Sequence, residues 1–449
     1  MTEAEKRLEQ IRSLTETLKR EGFQDICYYM IRTQRVQISV FPGASIRQEE
    51  MNDTMYSIEA SYKGKKSRMY TNHPEETKRV IQVLKESAEV YGQAENAGLI
   101  YDECTTEDIS FFWNEPEEII RTVRKAWEKT KDASLILLVQ KCCYEQNFRE
   151  IWMIDEQMHR VCDTDGYHCF NIRIAAGKDG TRSSASDCIY GKNLQMMEIE
   201  HCVDRVICEA QNSLGGEKLV SGRYSVILGG NVAAELLEAF LPAFYAENLQ
   251  RDDSPLKGKW KKQIASSGIW MKEIPEFDKG RIHRTVDDEG IPVTEKTLIQ
   301  NGIFVQKLYN RETAQKDGVP STGNGFRPSV QSDVETGITN VVLGMKEEQT
   351  SSRSGLEMEM KEGILVTRVD GVFAGADSTT GKFSLIAGGR VVRNGREAET
   401  FREVTISGDF FECLGSIKKT GDELYTTEPG AMSVLAPDLW TGKLTVSGK

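Results

Sequence analysis

Apolar residues along the first half of the chain recur with two periods, and each period predicts an element. Leu8, Ile11, Leu14 and Leu18 are spaced for one face of a helix, with Thr2 and Glu5 forming a capping box ahead of them. Val36, Ile38 and Val40 alternate with polar residues, as do Tyr56, Ile58, Ala60 and Tyr62, so both stretches read as strands. Lys63-Gly64-Lys65 turns the second strand into a third at 67–70. Asn72-His73-Pro74 then starts a helix with Val80, Val83, Leu84 and Tyr91 on one face and Gly92 at its end. A similar cycle follows. Pro116 opens a helix through Ile119, Ile120, Val123 and Trp127, and strands are predicted at 135–141, 151–155, 160–164 and 167–175. Asp165-Gly166 between the last two is a type I′ hairpin signal. Ile199, Cys202, Val203, Val206 and Ala210 line a further helix that stops at Gly215-Gly216.

From about residue 221 the texture changes. A strand at 224–228 runs through Gly229-Gly230-Asn231 into a helix carrying Leu236, Leu237, Phe240 and Phe244, which Pro242 should kink. Short strands and Gly-rich turns then dominate, and Asn301-Gly302 is a strong hairpin signal. The fold class is therefore α+β. An N-terminal α/β part with helices packed on mixed sheets covers 1–218, built from two smaller units at about 1–100 and 101–218. A mostly antiparallel β domain with few helices covers 219–449.

Composition narrows the function. The 449 residues carry 57 Lys+Arg against 69 Asp+Glu, a net charge of −12, which argues against a nucleic-acid binder needing clustered cations. No apolar run approaches the ~20 residues of a membrane-crossing helix. The opening MTEAEKRLEQ has no apolar core of a signal peptide, so a cytoplasmic location without membrane attachment is expected. Ten scattered cysteines form no CxxC pair and read as reduced, mostly buried thiols.

Candidate chemistry is sparse. Of five histidines only His159 and His168 lie close together in sequence, and HExxH is absent. Residues 375–383 look like a phosphate loop but have five residues between the glycines and Phe383 in place of the magnesium-binding hydroxyl, so a Gly-rich hairpin is the better reading. Asp287-Asp288-Glu289 offers carboxylates to a cation, yet Gly290-Ile291-Pro292 after it favours an exposed turn. Thr322-Gly323-Asn324-Gly325-Phe326-Arg327 is rich in backbone donors able to cradle a carboxylate or a peptide backbone, with a structural turn as its plainer reading.

Several stretches of the C-terminal half together resemble the TldD/PmbA metallopeptidase family, once called modulators of DNA gyrase. They are Val286-Asp-Asp-Glu-Gly-Ile-Pro292, Leu298-Ile-Gln-Asn-Gly302, Ser321-Thr-Gly-Asn-Gly-Phe-Arg327, Ile338-Thr-Asn340, Thr380-Gly-Lys-Phe-Ser384, Val404-Thr-Ile-Ser-Gly408 and Leu444-Thr-Val-Ser-Gly448. Metal-bearing members of that family hold their ion with the two histidines of an HExxxH helix and a cysteine near the C-terminus; the ion activates water and the Glu handles the proton. Anchored on Leu228-Gly229, the motif falls on Glu238, Ala239 and Ala243, and the stretch YTTEPGAMSVLA has no cysteine. No His lies between 202 and 282, so a shifted register does not restore it.

The resemblance thus points to the PmbA/TldE branch. It implies a chain without catalytic residues, metal or cofactor of its own, paired with a TldD-like, HExxxH-bearing subunit that carries zinc. Together they would degrade or mature unfolded peptides held as an added strand. Thr322, Gly323, Asn324, Gly325 and Arg327 are the candidate peptide-binding residues, with the 375–384 hairpin beside them. Two alternatives stay open: a stand-alone peptide-binding or scaffold homodimer without protease activity, and an enzyme built on Asp287-Asp288-Glu289.

Overall fold

The computed structural model describes residues 3–90, 104–105, 111–428 and 432–449. Thr2, Tyr91 and Gly92, expected at helix ends, lie outside them.

A single seven-stranded sheet organises the N-terminal half. Its spatial order is Lys65–Thr71, Ile46–Tyr62, Phe23–Val40, Ile136–Ile154, Arg160–Lys178 and Cys104–Thr105, with Thr181–Gly191 also paired to Arg160–Lys178. The two helix–strand–helix cycles share this sheet, because Phe23–Val40 and Ile136–Ile154 pair antiparallel from Tyr28↔Ile154 to Ser39↔Cys143.

Side-chain alternation divides the labour between the sheet's faces. On one face Tyr28 and Met30 pack with the helices Glu3–Arg20 and Thr77–Val90 through Ile11, Leu18, Val80 and Leu84. On the same face Ile38, Val40, Tyr144 and Phe170 pack with Pro116–Asp132 and Ile199–Asn212 through Ile119, Val123, Cys202 and Val206. The other face turns Tyr29, Ile151, Met153 and Val161 onto Val286 of the C-terminal half.

Two turn expectations fail here. Asp165-Gly166 makes no hairpin: Arg160–Lys178 is one 19-residue strand, and Asp165 and Gly166 sit in its ladder opposite Arg149 and Phe148. Likewise 135–141 and 151–155 belong to one strand, Ile136–Ile154. The chain reverses instead at Asp155, whose Oδ1 accepts the N–H groups of Gln157 and His159, with Met158 at φ 69°. The long ladder with Ile136–Ile154 outweighs the local turn preference. Gly166 serves a different end, since a Cβ there would lie 2.6 Å from the Phe111 ring.

The C-terminal half closes on itself. Gly222–Leu228 pairs with Gly363–Asp370 on one side and Ser433–Ser447 on the other; the ring continues through Arg396–Asp409 and Lys382–Arg393 back to Gly363–Asp370. Asn340–Gly344, Trp270–Glu273, Lys296–Gln300 and Ile303–Phe304 extend the sheet from Ser433–Ser447. The Asn301-Gly302 turn forms as expected, with φ of 50° and 81°. The helix Gly230–Phe240 packs Leu236, Leu237 and Phe240 into the ring's apolar core with Val226, Leu228, Val366 and Phe383, and Phe240 stacks on Phe410 at 4.7 Å. Pro242, lacking an N–H, converts the end of this helix to a 3-10 turn at Leu241–Phe244. Cys413 is buried in the short helix Phe410–Gly415, and its thiol is pushed up to about 12 by burial. Residues 375–383 do form a hairpin: Ala376–Asp377 pairs with Lys382 and Phe383.

Candidate functional site

The N-terminal end of the helix Gly230–Phe240 is held by groups distant in sequence. Gly230 N–H donates to Asp438 Oδ1 at 2.7 Å, and Asp438 is gripped by Arg353 through Nε and Nη2, both at 2.7 Å. Asn231 Nδ2 donates to the Thr367 carbonyl at 2.9 Å. Fixed this way, the helix turns a half-exposed stripe of Glu235, Glu238, Ala239 and Pro242 away from the core at i, i+3, i+4, i+7 spacing.

Glu238 lies beside the Thr427 side chain and the Met432 main chain; burial lifts its carboxyl above the ordinary range and these neighbours pull it partly back. Burial pushes Glu235 up to about 7, with Glu428, Glu238 and Asp370 adding repulsion. Arg281, which donates to the Met432 carbonyl at 3.2 Å and lies over the Tyr167 ring at 5.9 Å, joins this stripe to the N-terminal sheet. Ala243 is buried and its carbonyl accepts the Ser254 hydroxyl at 2.7 Å.

These side chains do not fit a metal ion. Of Glu238, Ala239 and Ala243, two are alanine and offer no ligand atom, and among the described residues no group of three His, Cys, Asp or Glu side chains is placed to hold one.

Asp287-Asp288-Glu289 is no exposed turn: the three residues are 0%, 2% and 7% exposed. Their carboxylates fill the donors of the loop 321–327. Asp287 accepts the Gly325 N–H at 2.8 Å and Asp288 the Arg327 N–H at 2.7 Å. Asn324 donates to both oxygens of buried Glu273, at 3.1 and 3.0 Å. Thr322 Oγ1 accepts the Tyr309 N–H at 2.7 Å, and Gly323 takes φ 70° where a Cβ would strike the Pro292 carbonyl at 2.4 Å. Arg327 pairs with Glu59 at 3.0 Å and covers the Tyr29 ring at 5.0 Å. The five residues are together, but their hydrogen bonds run to the chain itself. Burial pushes Asp287 up to about 6 and Glu289 up to about 7.

The same cluster bolts the two halves together. Arg284, 5% exposed, reaches Asp163 of the N-terminal sheet with Nε at 2.7 Å and Asp288 with Nη2 at 2.8 Å. Asp165 pairs with Arg149 and accepts the His283 N–H at 2.8 Å.

Residues 221–448, half of the chain, match the PmbA/TldA metallopeptidase C-terminal domain. The chain belongs to the PmbA/TldD metallopeptidase family. Among curated relatives, metalloprotease PmbA of Escherichia coli O157:H7 is 26% identical over 280 residues, 59% of each chain. An uncharacterized protein of Methanocaldococcus jannaschii is 31% identical over 159 residues, 35% of this chain and 37% of that one. The chain thus spans 37% and 59% of the lengths of these two relatives. A solved candidate modulator of a DNA gyrase from Thermotoga maritima superposes with a TM-score of 0.84 at 25% identity, covering 98% of this chain and 99% of that one. TldE from Thermococcus kodakarensis shares the fold, with a TM-score of 0.85 over 98% of this chain and 100% of that one at 19% identity. No helix among the described residues is long and apolar enough to cross a membrane.

Reading the family motifs found the helix and the acidic loop but missed the groups that surround them. Asp163, Asp165, Asn171 and Arg173 fall at odd positions of one strand, with Tyr167 and Cys169 between them, and so share a largely polar face. That face is legible in the sequence; only the packing reveals that much of it meets protein instead of solvent.

Proposed function

We propose that this chain is the metal-free subunit of a PmbA/TldD-type peptidase assembly acting on unfolded peptides in the cytoplasm. One observation carries the reading: Glu238 and Ala239 on the half-exposed face of the helix Gly230–Phe240, and buried Ala243 in the turn after it, stand where the family's metal motif would supply two imidazoles and a carboxylate. Alanine has no lone pair to coordinate with, and a single carboxylate does not hold zinc in place of three ligands. The family's chemistry then resides on a TldD-like, HExxxH-bearing partner with its zinc, while this chain contributes scaffold and peptide-contacting surface. The test is to purify this chain and an HExxxH paralogue singly and together, measuring bound zinc and hydrolysis of an unfolded peptide. Zinc on the paralogue alone, with full hydrolysis only by the pair, is the expected result. Chelator-sensitive hydrolysis by this chain alone refutes the reading.

A further inference from the structure

The outer face of the C-terminal ring carries a cleft of about 410 Å³. Its origin is a break in strand pairing. Arg396–Asp409 and Ser433–Ser447 run antiparallel through Thr405↔Ser447 and Ser407↔Thr445 and then part, and the short helix Phe410–Gly415 takes the space between them. Ser416 closes the far end: its Oγ accepts the Gly442 N–H at 3.0 Å and lies 2.9 Å from Thr441 Oγ1.

Register decides which side chains look into the cleft. Arg223 is opposite Thr445 and Thr445 opposite Ser407. Two residues along on the same face stand Lys443 and Asp409, and Lys382 is opposite Asp409. All six line the cleft. Lys443 and Lys382 are at least two strand spacings apart, roughly 10 Å, so their long side chains can reach one group held between them.

The charges in the cleft are out of balance. Arg223, Lys382 and Lys443 are exposed, and none of the three is in an ion pair among the described residues. Arg223 Nη2 donates to the Lys443 carbonyl at 3.1 Å, which steadies the guanidinium and leaves its other N–H groups without a protein acceptor among the described residues. Of the two carboxylates present, Asp409 is already committed, its Oδ1 accepting the N–H groups of Phe411 and Glu412 at 2.9 and 3.1 Å. Glu412, on the helix, is exposed and in no ion pair among the described residues. In a chain of net charge −12, three cations meeting at one cleft without a carboxylate partner are a local reversal. Ser407 donates to Ser384 at 3.2 Å, so Thr445 is the strand hydroxyl left over.

We propose that this cleft binds a small organic oxyanion, a carboxylate or a phosphate monoester, with Arg223, Lys382 and Lys443 supplying the positive charge and the Thr445 hydroxyl a neutral donor. The planar guanidinium offers paired N–H groups to two oxygens of one group, and the Lys382 ammonium closes on it from the far wall. The volume is that of a small-molecule site, so the body of the ligand lies over Gly408, Gly442 and Leu444. Glu412 sets the limit: further negative charge on the ligand meets it, so the site selects a single oxyanion over a polyanion. The inference goes beyond the peptidase reading and needs neither partner subunit nor metal.

The test titrates the full chain alone, at fixed ionic strength, with phenyl phosphate, benzoate and benzyl alcohol, read by calorimetry. Saturable binding of phenyl phosphate, benzoate or both, with a Kd of about 1 mM or below, and none of benzyl alcohol, is expected. Binding of phenyl phosphate alone identifies a phosphate site, and of benzoate alone a carboxylate site. Arg223→Gln/Lys443→Gln weakens the bound anion roughly tenfold or more and, because both side chains are exposed, melts as the parent does. Glu412→Gln tightens binding about two- to fivefold by removing a like charge. Lys346→Gln/Lys361→Gln, which removes two exposed cations elsewhere on the domain, leaves the affinity unchanged. No saturable binding of either anion up to about 10 mM, an affinity unmoved by the Arg223/Lys443 variant, or an equal loss in the Lys346/Lys361 control overturns the site. The zinc and hydrolysis measurements on the subunit pair decide the metal-free reading separately.

Discussion

Arg284→Ala tests whether the two halves are joined by charge. The guanidinium is 5% exposed and bridges Asp163 and Asp288, which are 1% and 2% exposed. Its removal leaves two buried carboxylates short of a cation, a situation that costs about 3–5 kcal/mol in comparable buried pairs. Remaining donors soften the loss. Asp163 keeps the Thr285 hydroxyl at 2.8 Å and the main-chain N–H groups of Thr285 and Val286, and Asp288 keeps the Arg327 N–H at 2.7 Å. The lower end, about 3 kcal/mol, is therefore expected, a shift of roughly a hundredfold in the local opening equilibrium. Urea unfolding followed by circular dichroism, alongside amide exchange at 161–166 and 284–289, reads both the total and its location. A control separates charge from shape: Arg284→Met with Asp163→Asn and Asp288→Asn removes all three charges and should recover most of the loss. A single-variant loss within about 0.5 kcal/mol, as for an ordinary surface change, would refute the reasoning.

Other outcomes follow from the same structure. Glu289 and Asp287 carry carboxyls raised by burial, so the folded chain holds their protons more tightly than the unfolded one; their stabilisation is complete near pH 4 and fades as pH rises through about 6 to 7. Glu289→Gln should accordingly melt near the parent at pH 5 and above it at pH 8, and an unchanged pH profile counts against the raised carboxyl. Asp438→Ala takes the acceptor from Gly230 and strands Arg353, with an expected loss of about 2 kcal/mol or more and faster amide exchange at 230–233. Gly323→Ala forces a side chain into φ 70° and against the Pro292 carbonyl; thermal melting should fall by several degrees, and a silent substitution would show that the loop is looser than its geometry.

Much of the secondary structure was legible because its signals are local. The helix faces of Ile119, Val123 and Trp127, or of Cys202, Val203 and Val206, needed only 3.6-residue spacing, and Asn301-Gly302 needed only two residues tolerant of positive φ. The Asp165-Gly166 signal failed because Arg160–Lys178 pairs without a break through 160–173 with Ile136–Ile154, and that pairing is a non-local gain no dipeptide preference outweighs. Asp287-Asp288-Glu289 read as a solvated turn because carboxylates are seldom buried unpaired. Their donors, Gly325, Arg327 and Arg284, come into range only after folding.

The order of residues by itself determined the α+β layout and the family likeness of the C-terminal half, since each depends on which side chain stands where along the chain. Tertiary structure alone decided that the loop 321–327 is satisfied by the chain's own carboxylates. That is a matter of distance between residues 38 to 51 positions apart in the chain, and hydrogen bonds and electrostatic fields act through space, where a sequence has no coordinates to offer.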